Sequence, residues 1–503
     1  MSKATTSHLE KSEISHIENE DRSLTDLKQS ESEFAFSNEV EDEYANLPES
    51  LQGLTPEELT KLEKKTTRKI DIRLMPMLIY IYILNYLDRN NIASARLAGL
   101  EKDIGLVGNQ YQTCISVLFA GYILFQVPSN MLLNKLGRPS IYITVVMTIW
   151  GVLSTCTGAV QSYGGLLAIR ILLGVVESKT LASRNSILYA GSLISSAFSG
   201  LIAAGILKIP GLKGQSWRWL FIVEGGLTVA SVPFAYFVLP DNPSNTKFLS
   251  QQEKDIIMWK MSKDVGVKDS DQVNEESDLQ GFFSACKDIK VWILCGTHSW
   301  LVAACGVTNF FPTVVETLNF SRTITLVLTA PPYLIAVVAT FLWARHADKS
   351  GERMLHVVIP LILSLVSFII AACTLNTGAR YFAMCLMVPS LYCAFVVILT
   401  WISNTVPRPP AKRAAAIAIV NCLSNSTSIW NAYLYPSGDG PRYMIAFICN
   451  CVFIALAIAF ALGLAVRLRI LNKKIDNGSL NWEREFGKGF DASKINADFR
   501  FLH

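Results

Sequence analysis

The sequence predicts an all-α integral membrane protein with twelve helices in two six-helix halves. Three observations carry that expectation. Of 503 residues, 51% are hydrophobic and 17% charged, at a mean hydropathy of +0.33, whereas a soluble chain carries about 25% charge. The apolar residues gather in runs of about twenty, the length a helix needs to cross a hydrocarbon core. Lys and Arg concentrate in alternate connections, the asymmetry that orients spans in a membrane.

Residues 1–70 are rich in Ser, Glu, Asp and Lys and poor in aromatics. Such a segment buries too little apolar surface to offset its ordering entropy, so a disordered cytosolic tail is expected. It has no apolar core of a cleavable signal, which leaves targeting to the first span. In the first half (71–239), spans are expected at 74–94, 111–133, 140–159, 186–207 and 217–239. A charged cytosolic loop follows at 240–290, where LPDNPSNTKFLSQQEKDI reads as a turn and then a surface helix N-capped by Ser250. In the second half (291–467), spans are expected at 291–313, 324–343, 355–374, 380–402, 414–434 and 443–467. Residues 468–503 form a cytosolic tail.

The remaining span is abnormally short. GGLLAIRILLGVVESKTLASRN, beginning at Gly164, meets Glu177 and Lys179 after about fourteen mostly apolar residues, where a bilayer asks for roughly twenty. The loops decide that it crosses. KLEKKTTRKIDIR, NKLGRP, ARHADKSGER, PRPPAKR and RLRILNKK fall on the cytosolic side only if 163–181 spans as the fourth helix. LKIPGLKGQSWR, with Lys208, Lys213 and Arg218, is the exception on the outer side. A helix over 163–181 rises about 28 Å, enough if Lys179 snorkels. The fifth helix then begins near Ser186 after a loop of about four residues.

The 11 cysteines show no metal-ligand spacing. All but Cys286, which is expected in a loop, lie in apolar runs and read as small buried hydrophobes. No nucleophile elbow, metal cluster or phosphate loop is present, so neither enzyme, cofactor nor metal is expected. Nothing points to nucleic acid.

A loop is repeated after the second helix of each half. The first copy carries Asn134, Lys135, Gly137 and Arg138, the second Asp348, Lys349, Gly351 and Arg353. A carboxylate at a helix end, adjacent cations and a Gly for the tight turn suit a loop that ties two helix ends together and gates the bundle.

With twelve spans, a long central loop and this repeat, the chain resembles the major facilitator superfamily. IDIRLMPMLIYIYILNYLDRNNIASARLAGLEKDIGLVGNQYQT, VPSNMLLNKLG, RILLGVVE, SWRWLFIVEG, LPDNPSNTKFLS and DGPRYM narrow the likeness. They resemble fungal anion:cation symporters of the allantoate and nicotinate permease type, over most of the chain. Two departures stand out. Asn134 replaces the usual Asp, and about one span length of sequence is missing after Glu177.

Ionisable groups within a span are functional candidates by default. In NYLDRNN, Asn85, Asp88 and Arg89 fall at i, i+3 and i+4, on one helix face expected to point into the bundle. An Arg fork suits a carboxylate and a buried Asp can exchange protons; the other reading is an Asp–Arg pair that only locks the helix. Arg170, Gly174 and Glu177 repeat the pattern at i, i+4 and i+7. The resemblance implies proton roles for Asp88 and Glu177 and an anion role for Arg89. Arg170, Asn85, His298 and Asn421 complete the expected substrate contacts. Glu224, Asn309 and Asn425 are further candidates, Tyr111 and Gln112 open the second span, and Arg442 and Tyr443 mark the start of the last. Asn319 heads a glycosylation sequon on the outer side.

The function expected is secondary active import of a small organic anion, such as a vitamin-like or nitrogen-source carboxylate. Proton symport would proceed by alternating access about a midplane site. The partners are then the anion, the proton and the bilayer, for a monomer in the plasma membrane with both termini cytosolic. The alternative is a paralogue or sensor that no longer transports because its fourth span is truncated.

Overall fold

The computed structural model describes residues 47–136, 139–177, 185–209, 215–240, 246, 248–266, 278–406, 408–482, 485 and 500–502. No strand occurs among them, and the principal helices number twelve. They are α1 (Pro56–Leu97), α2 (Gln110–Leu136), α3 (Pro139–Thr157), α4 (Tyr163–Glu177), α5 (Asn185–Ile206), α6 (Ser216–Val238), α7 (Ile289–Cys305), α8 (Ala330–Ser350), α9 (Met354–Cys373), α10 (Thr377–Thr405), α11 (Pro410–Asn431) and α12 (Met444–Asp476). Eight, counting α7 onward to Glu316 and α8 from Arg322, are long and apolar enough to cross a membrane. Helix α11 falls short because Asn421, Ser424, Asn425, Ser426, Thr427 and Ser428 dilute its apolar residues, and α4 because it is short.

Helix packing repeats with an offset of six. Helix α3 packs on α6 as α9 packs on α12, and α2 on α4 as α8 on α10. The halves meet through α2 on α11 and, symmetrically, α5 on α8. Close approach within the first half depends on glycines, most tightly on two of them. A side chain at Gly174 of α4 would overlap the Leu118 carbonyl of α2, and one at Gly225 of α6 would overlap Thr155 of α3.

Four hydrogen bonds between described residues help to join the halves. Arg96 donates to Thr313 (3.4 Å), Gln112 to the Tyr435 carbonyl (3.2 Å) and Ser116 to the Ile429 carbonyl (2.6 Å). Thr113 and Tyr433 share a hydroxyl pair at 3.1 Å. All four lie at the helix ends remote from the termini, so the bundle is closed on that far side.

Helix α4 ends, as described, at Glu177, whose carboxylate meets Arg89 of α1 at 3.3 Å. Gly191 of α5 already faces Ile79 and Tyr82, and Ile79 lies about 15 Å along α1 from Arg89, toward the terminal side. The fourth helix is thus described only to the depth of Arg89, while α5 reaches at least to the level of Ile79. Residues 178–184, with Lys179 and Arg184, lie outside the described set, as do the acidic segment 1–46, Lys213, Gly137 and Arg138.

Two compact units are distinguished: Met1–Ile70 with Pro243–Asp271, and Asp71–Asn242 with Gln272–His503. In the small unit the expected surface helix spans Gln251–Gly266. Ser250 Oγ accepts from Glu253 N (3.3 Å) and Glu253 accepts from Ser250 N (2.9 Å), the reciprocal capping box. Leu51, Leu59 and Ile256 form its apolar core.

In the large unit, Asp288 caps α7 by accepting from Lys290 N at 3.0 Å. Its carboxylate also meets the buried ammonium groups of Lys290 (3.1 Å) and Lys412 (2.8 Å), and Glu485 of the C-terminal segment pairs with Lys290. Burial pushes the Asp288 carboxyl up, but the two lysines outweigh it and hold it below the ordinary aspartate value. Further along, the Phe501 backbone exchanges two hydrogen bonds with the Asn472 side-chain amide, and Trp401 Nε1 donates to the Leu502 carbonyl.

Two expectations for cysteine are corrected. Cys286 lies in the helix Asp278–Lys287, not a loop, and Cys156 and Cys373 are exposed. An apolar thiol suits a lipid-facing surface as well as a core.

Candidate transport site

Helix α1 presents two polar faces, because consecutive residues on a helix diverge by about 100°. Asp88 turns toward α3 and α6. Its Oδ2 accepts from Trp150 Nε1 (2.5 Å) and Thr228 Oγ1 (3.3 Å), and its Oδ1 from Ser154 Oγ (2.6 Å). Asn91, on the same side, donates to Glu224 at 2.6 Å. The Gly225 contact lets α3 and α6 come close enough to bring these donors onto one carboxylate.

Arg89 turns toward α2 and α4. Its guanidinium lies 5.0 Å from the Phe119 ring centre and 5.6 Å from those of Tyr86 and Tyr122, a cation–π cage, and its Nε meets Glu177. The expectation that Asp88 and Arg89 share one inward face is corrected. Asp88 and Arg89 are held on separate faces of α1, and the carboxylate partner of Arg89 is Glu177. Gly174 supplies the reason. Its missing side chain lets α4 settle against the α2 backbone, which carries Arg170 and Glu177 inward, one turn to either side.

Arg89, Arg170 and Asn309 line one cavity with Asn90, Ile92, Ala93, Ile115, Leu118 and Phe119. Arg170 is 2% exposed, its Nε lacks a hydrogen-bond partner, and no carboxylate lies within 4 Å of it among the described residues. Two guanidiniums thus line the cavity, and the one carboxylate paired with either of them, Glu177 on Arg89, is not part of its lining. A second cavity, sharing Asn90 and Ala93, is lined by Ser94, Ser196, Ser199, Gly200, Thr308, Pro312, Thr329 and Tyr333.

Other expected residues lie elsewhere. Asn85 is buried with its Nδ2 unpartnered. His298 is buried against Phe395, ring centres 5.1 Å apart, and neither ring nitrogen has a hydrogen-bond partner. Asn421 lies in α11, its carbonyl accepting from Asn425 at 2.8 Å; none of Asn85, His298 and Asn421 lines either cavity. In the second loop motif, Arg353 pairs with Asp348 at 2.9 Å and Gly351 closes α8 in the left-handed conformation at φ 68°. In the first motif, Asn134 and Lys135 belong to α2, with side chains outside the described set. Tyr443 immediately precedes α12, as expected. The sequence reading missed Trp150, Ser154 and Thr228; the signal available was the polar ends these residues carry inside apolar runs.

Two pseudo-equivalent six-helix halves, closed at one end around buried charges at mid-helix depth, define a multi-pass solute carrier. The chain belongs to the major facilitator superfamily, whose pattern it matches over residues 78–430. It is 30% identical over 441 residues to the major facilitator-type transporter hxnP of Emericella nidulans, covering 83% of this chain and 88% of that one. It is 28% identical over 414 residues to the high-affinity nicotinic acid transporter of Saccharomyces cerevisiae, covering 79% and 76%. Among solved structures, an inward-facing, occupied bacterial homologue of the human lysosomal transporter Spinster superposes with a TM-score of 0.59 at 14% identity, covering 78% of this chain and 96% of that one. A D-xylose-proton symporter does so with 0.57 at 15%, covering 78% and 97%. The protein is a transporter of a fungal family type, not an enzyme.

Proposed function

We propose that the protein is a proton-coupled symporter importing a small organic anion, by alternating access of its halves about the Arg89–Arg170 cavity. One observation carries this reading: two guanidiniums reach the cavity and a single carboxylate, Glu177, pairs with one of them. A buried charge without a partner is costly, so Arg170 favours an anion. Its planar fork matches a carboxylate. The Saccharomyces relative, named for the monocarboxylic nicotinic acid, supports this substrate class.

Coupling follows from the Arg89–Glu177 pair. With Glu177 ionised, Arg89 is engaged and Arg170 alone draws the anion. With Glu177 protonated, both guanidiniums face the incoming carboxylate. One proton and one monoanion leave the site with the charge it carries when empty, so loaded and empty forms reorient at equal electrostatic cost. Asp88, held by three neutral donors, acts by positioning α1 against α3 and α6. The carrier works as a monomer in the plasma membrane with its termini, central loop and repeated loops cytosolic.

A second reading, a chain that no longer transports, rests on the short fourth helix. Uptake of labelled monocarboxylates by cells lacking their own permeases separates the two. Accumulation that collapses with a protonophore and is lost in Arg170→Gln supports the symporter. Normal surface delivery with no uptake of any monocarboxylate supports the second reading.

A further inference from the structure

The terminal side of the second half holds the end of the chain itself. Four helices bring a buried polar group to it. Lys290 opens α7, Trp401 lies near the end of α10, Lys412 in the first turn of α11 and Asn472 near the end of α12. Lys290 pairs with the Glu485 carboxylate, and Lys412 donates to the Glu485 carbonyl at 3.0 Å. Trp401 Nε1 donates to the Leu502 carbonyl at 3.0 Å. The Lys290 ammonium also stands 5.7 Å from the centre of the Phe501 ring.

The manner of holding is that of a bound peptide. Asn472 Nδ2 donates to the Phe501 carbonyl and Asn472 Oδ1 accepts from the Phe501 N–H, both at 2.9 Å. One side-chain amide thus offers a donor and an acceptor to a single backbone residue, as a neighbouring strand does. One side chain anchors the contact: Phe501 is 3% exposed, whereas Leu502 is 37% exposed and the exposed Arg500 pairs with Asp476 at 2.7 Å. Backbone hydrogen bonds with a single aromatic anchor are how extended peptides are captured. The helices beneath need no strap to stay packed, since α7 rests on both α11 and α12.

We propose that residues 500–502 are a reversible strap, a peptide ligand built into the chain, which restrains the terminal-side ends of α10 and α11. These two helices pack little on each other: α10 rests mainly on α8 and α9, and α11 on α7. The chain end joins them. Leu502 holds Trp401 of α10, Phe501 holds Asn472 of α12, and Glu485 holds Lys290 of α7 and Lys412 of α11. With the strap seated, the four ends move as one body; with it released, the ends of α10 and α11 are free to splay. The strap stands on these contacts alone. Its effect on turnover rests on the carrier reading above: seated, it slows the parting of the halves on the terminal side.

The test follows amide hydrogen exchange of the full-length protein in lipid nanodiscs. It is set against a chain ending at residue 499 and against Asn472→Leu, which keeps the size and removes both bonds to Phe501. Both variants should exchange about fivefold faster or more at the terminal-side ends of α10 and α11, one hydrogen bond's worth, with the far-side ends unchanged. A peptide of residues 496–503 added in trans should restore slow exchange to the shortened chain and not to Asn472→Leu. The same peptide carrying Phe501→Ala should restore neither. Unchanged exchange in the shortened chain overturns the proposal, as does faster exchange that runs through the whole second half or that the peptide does not reverse. Uptake reads the restraint: the shortened chain should show Vmax raised about twofold or more at unchanged KM, because opening limits turnover. A Vmax that holds or falls overturns the restraint. Failure of the carrier reading looks different, since wild type then takes up no monocarboxylate while the exchange pattern stands.

Discussion

The two halves share a packing plan and differ in where they bury charge. In the first half, Asp88, Arg89, Arg170, Glu177 and Glu224 are held within the bundle, in or beside mid-helix apolar runs. In the second, the groups at comparable depth are amides and an imidazole, Asn309, Asn450 and His298. Its buried cations lie at helix ends with partners at hand. Lys290 and Lys412 meet Asp288, Arg353 meets Asp348, and Arg380 donates to the Pro441 carbonyl. A cation at a helix end finds acidic caps, free carbonyls and water, so its burial is structural. One at mid-helix has only what other spans bring, so an uncompensated one there points to a ligand. The first half holds the mid-helix charges and the second faces them with neutral groups.

The strongest way to break that contrast is to neutralise one cation in each half. Arg170→Gln should raise KM for uptake about 100-fold, the loss of a charge-assisted hydrogen bond pair. Arg380→Gln should lower Tm and leave KM within about twofold. Equal KM effects would erase the distinction.

Coupling gives the next effect. Electroneutral one-to-one symport accumulates substrate about tenfold per unit of inward pH gradient. Glu177→Gln should bring that ratio to one while exchange persists. Asp88→Asn should keep the tenfold ratio and lower Tm, because an amide hydrogen replaces an acceptor facing Trp150, Ser154 and Thr228. Loss of accumulation in Asp88→Asn alone would return the proton to Asp88.

Gly174→Ala should cost about 1–3 kcal/mol by overpacking α4 on α2 and reduce uptake several-fold, read from Tm and initial rates. Asp288→Asn should have the smallest effect on transport. It removes the carboxylate between two buried lysines, at a cost of about 3 kcal/mol in stability, with KM unchanged. Asp288 is held below its ordinary value, so its contribution is full above about pH 4 and is lost as pH falls through the lower folded value. A Tm step below pH 4 that is absent in Asp288→Asn is the expected signature.

Much of the fold was legible because each apolar run is its own signal. The start of the last helix was placed at Arg442 and Tyr443 to within a residue or two, while its end runs nine residues past the expected 467, and Ser250 was recognised as a cap. Boundaries were not: α1 begins at Pro56, well ahead of its apolar run, because TPEELTKLEKK is itself helix-forming and carries its own capping box between Thr55 and Glu58. The site was legible as residue types and not as partners. Sequence spacing placed Asp88 beside Arg89 and could not see that Gly174 brings Glu177 across to claim the guanidinium. Nor did any local pattern join Asp288 to Lys412 or Lys290 to Glu485, pairs whose members lie more than a hundred residues apart.

The far-side closure has a consequence for how this protein tolerates change. Two of its hydrogen bonds, from Gln112 and Ser116, end on the backbone carbonyls of Tyr435 and Ile429. No side-chain substitution at Tyr435 or Ile429 deletes those acceptors, so genetic drift there leaves that part of the seal intact. The exposure is one-sided. Variation that loosens these two contacts must arise at the donors, and so the first turns of α2 are where sequence change would retune how readily the bundle opens on that side.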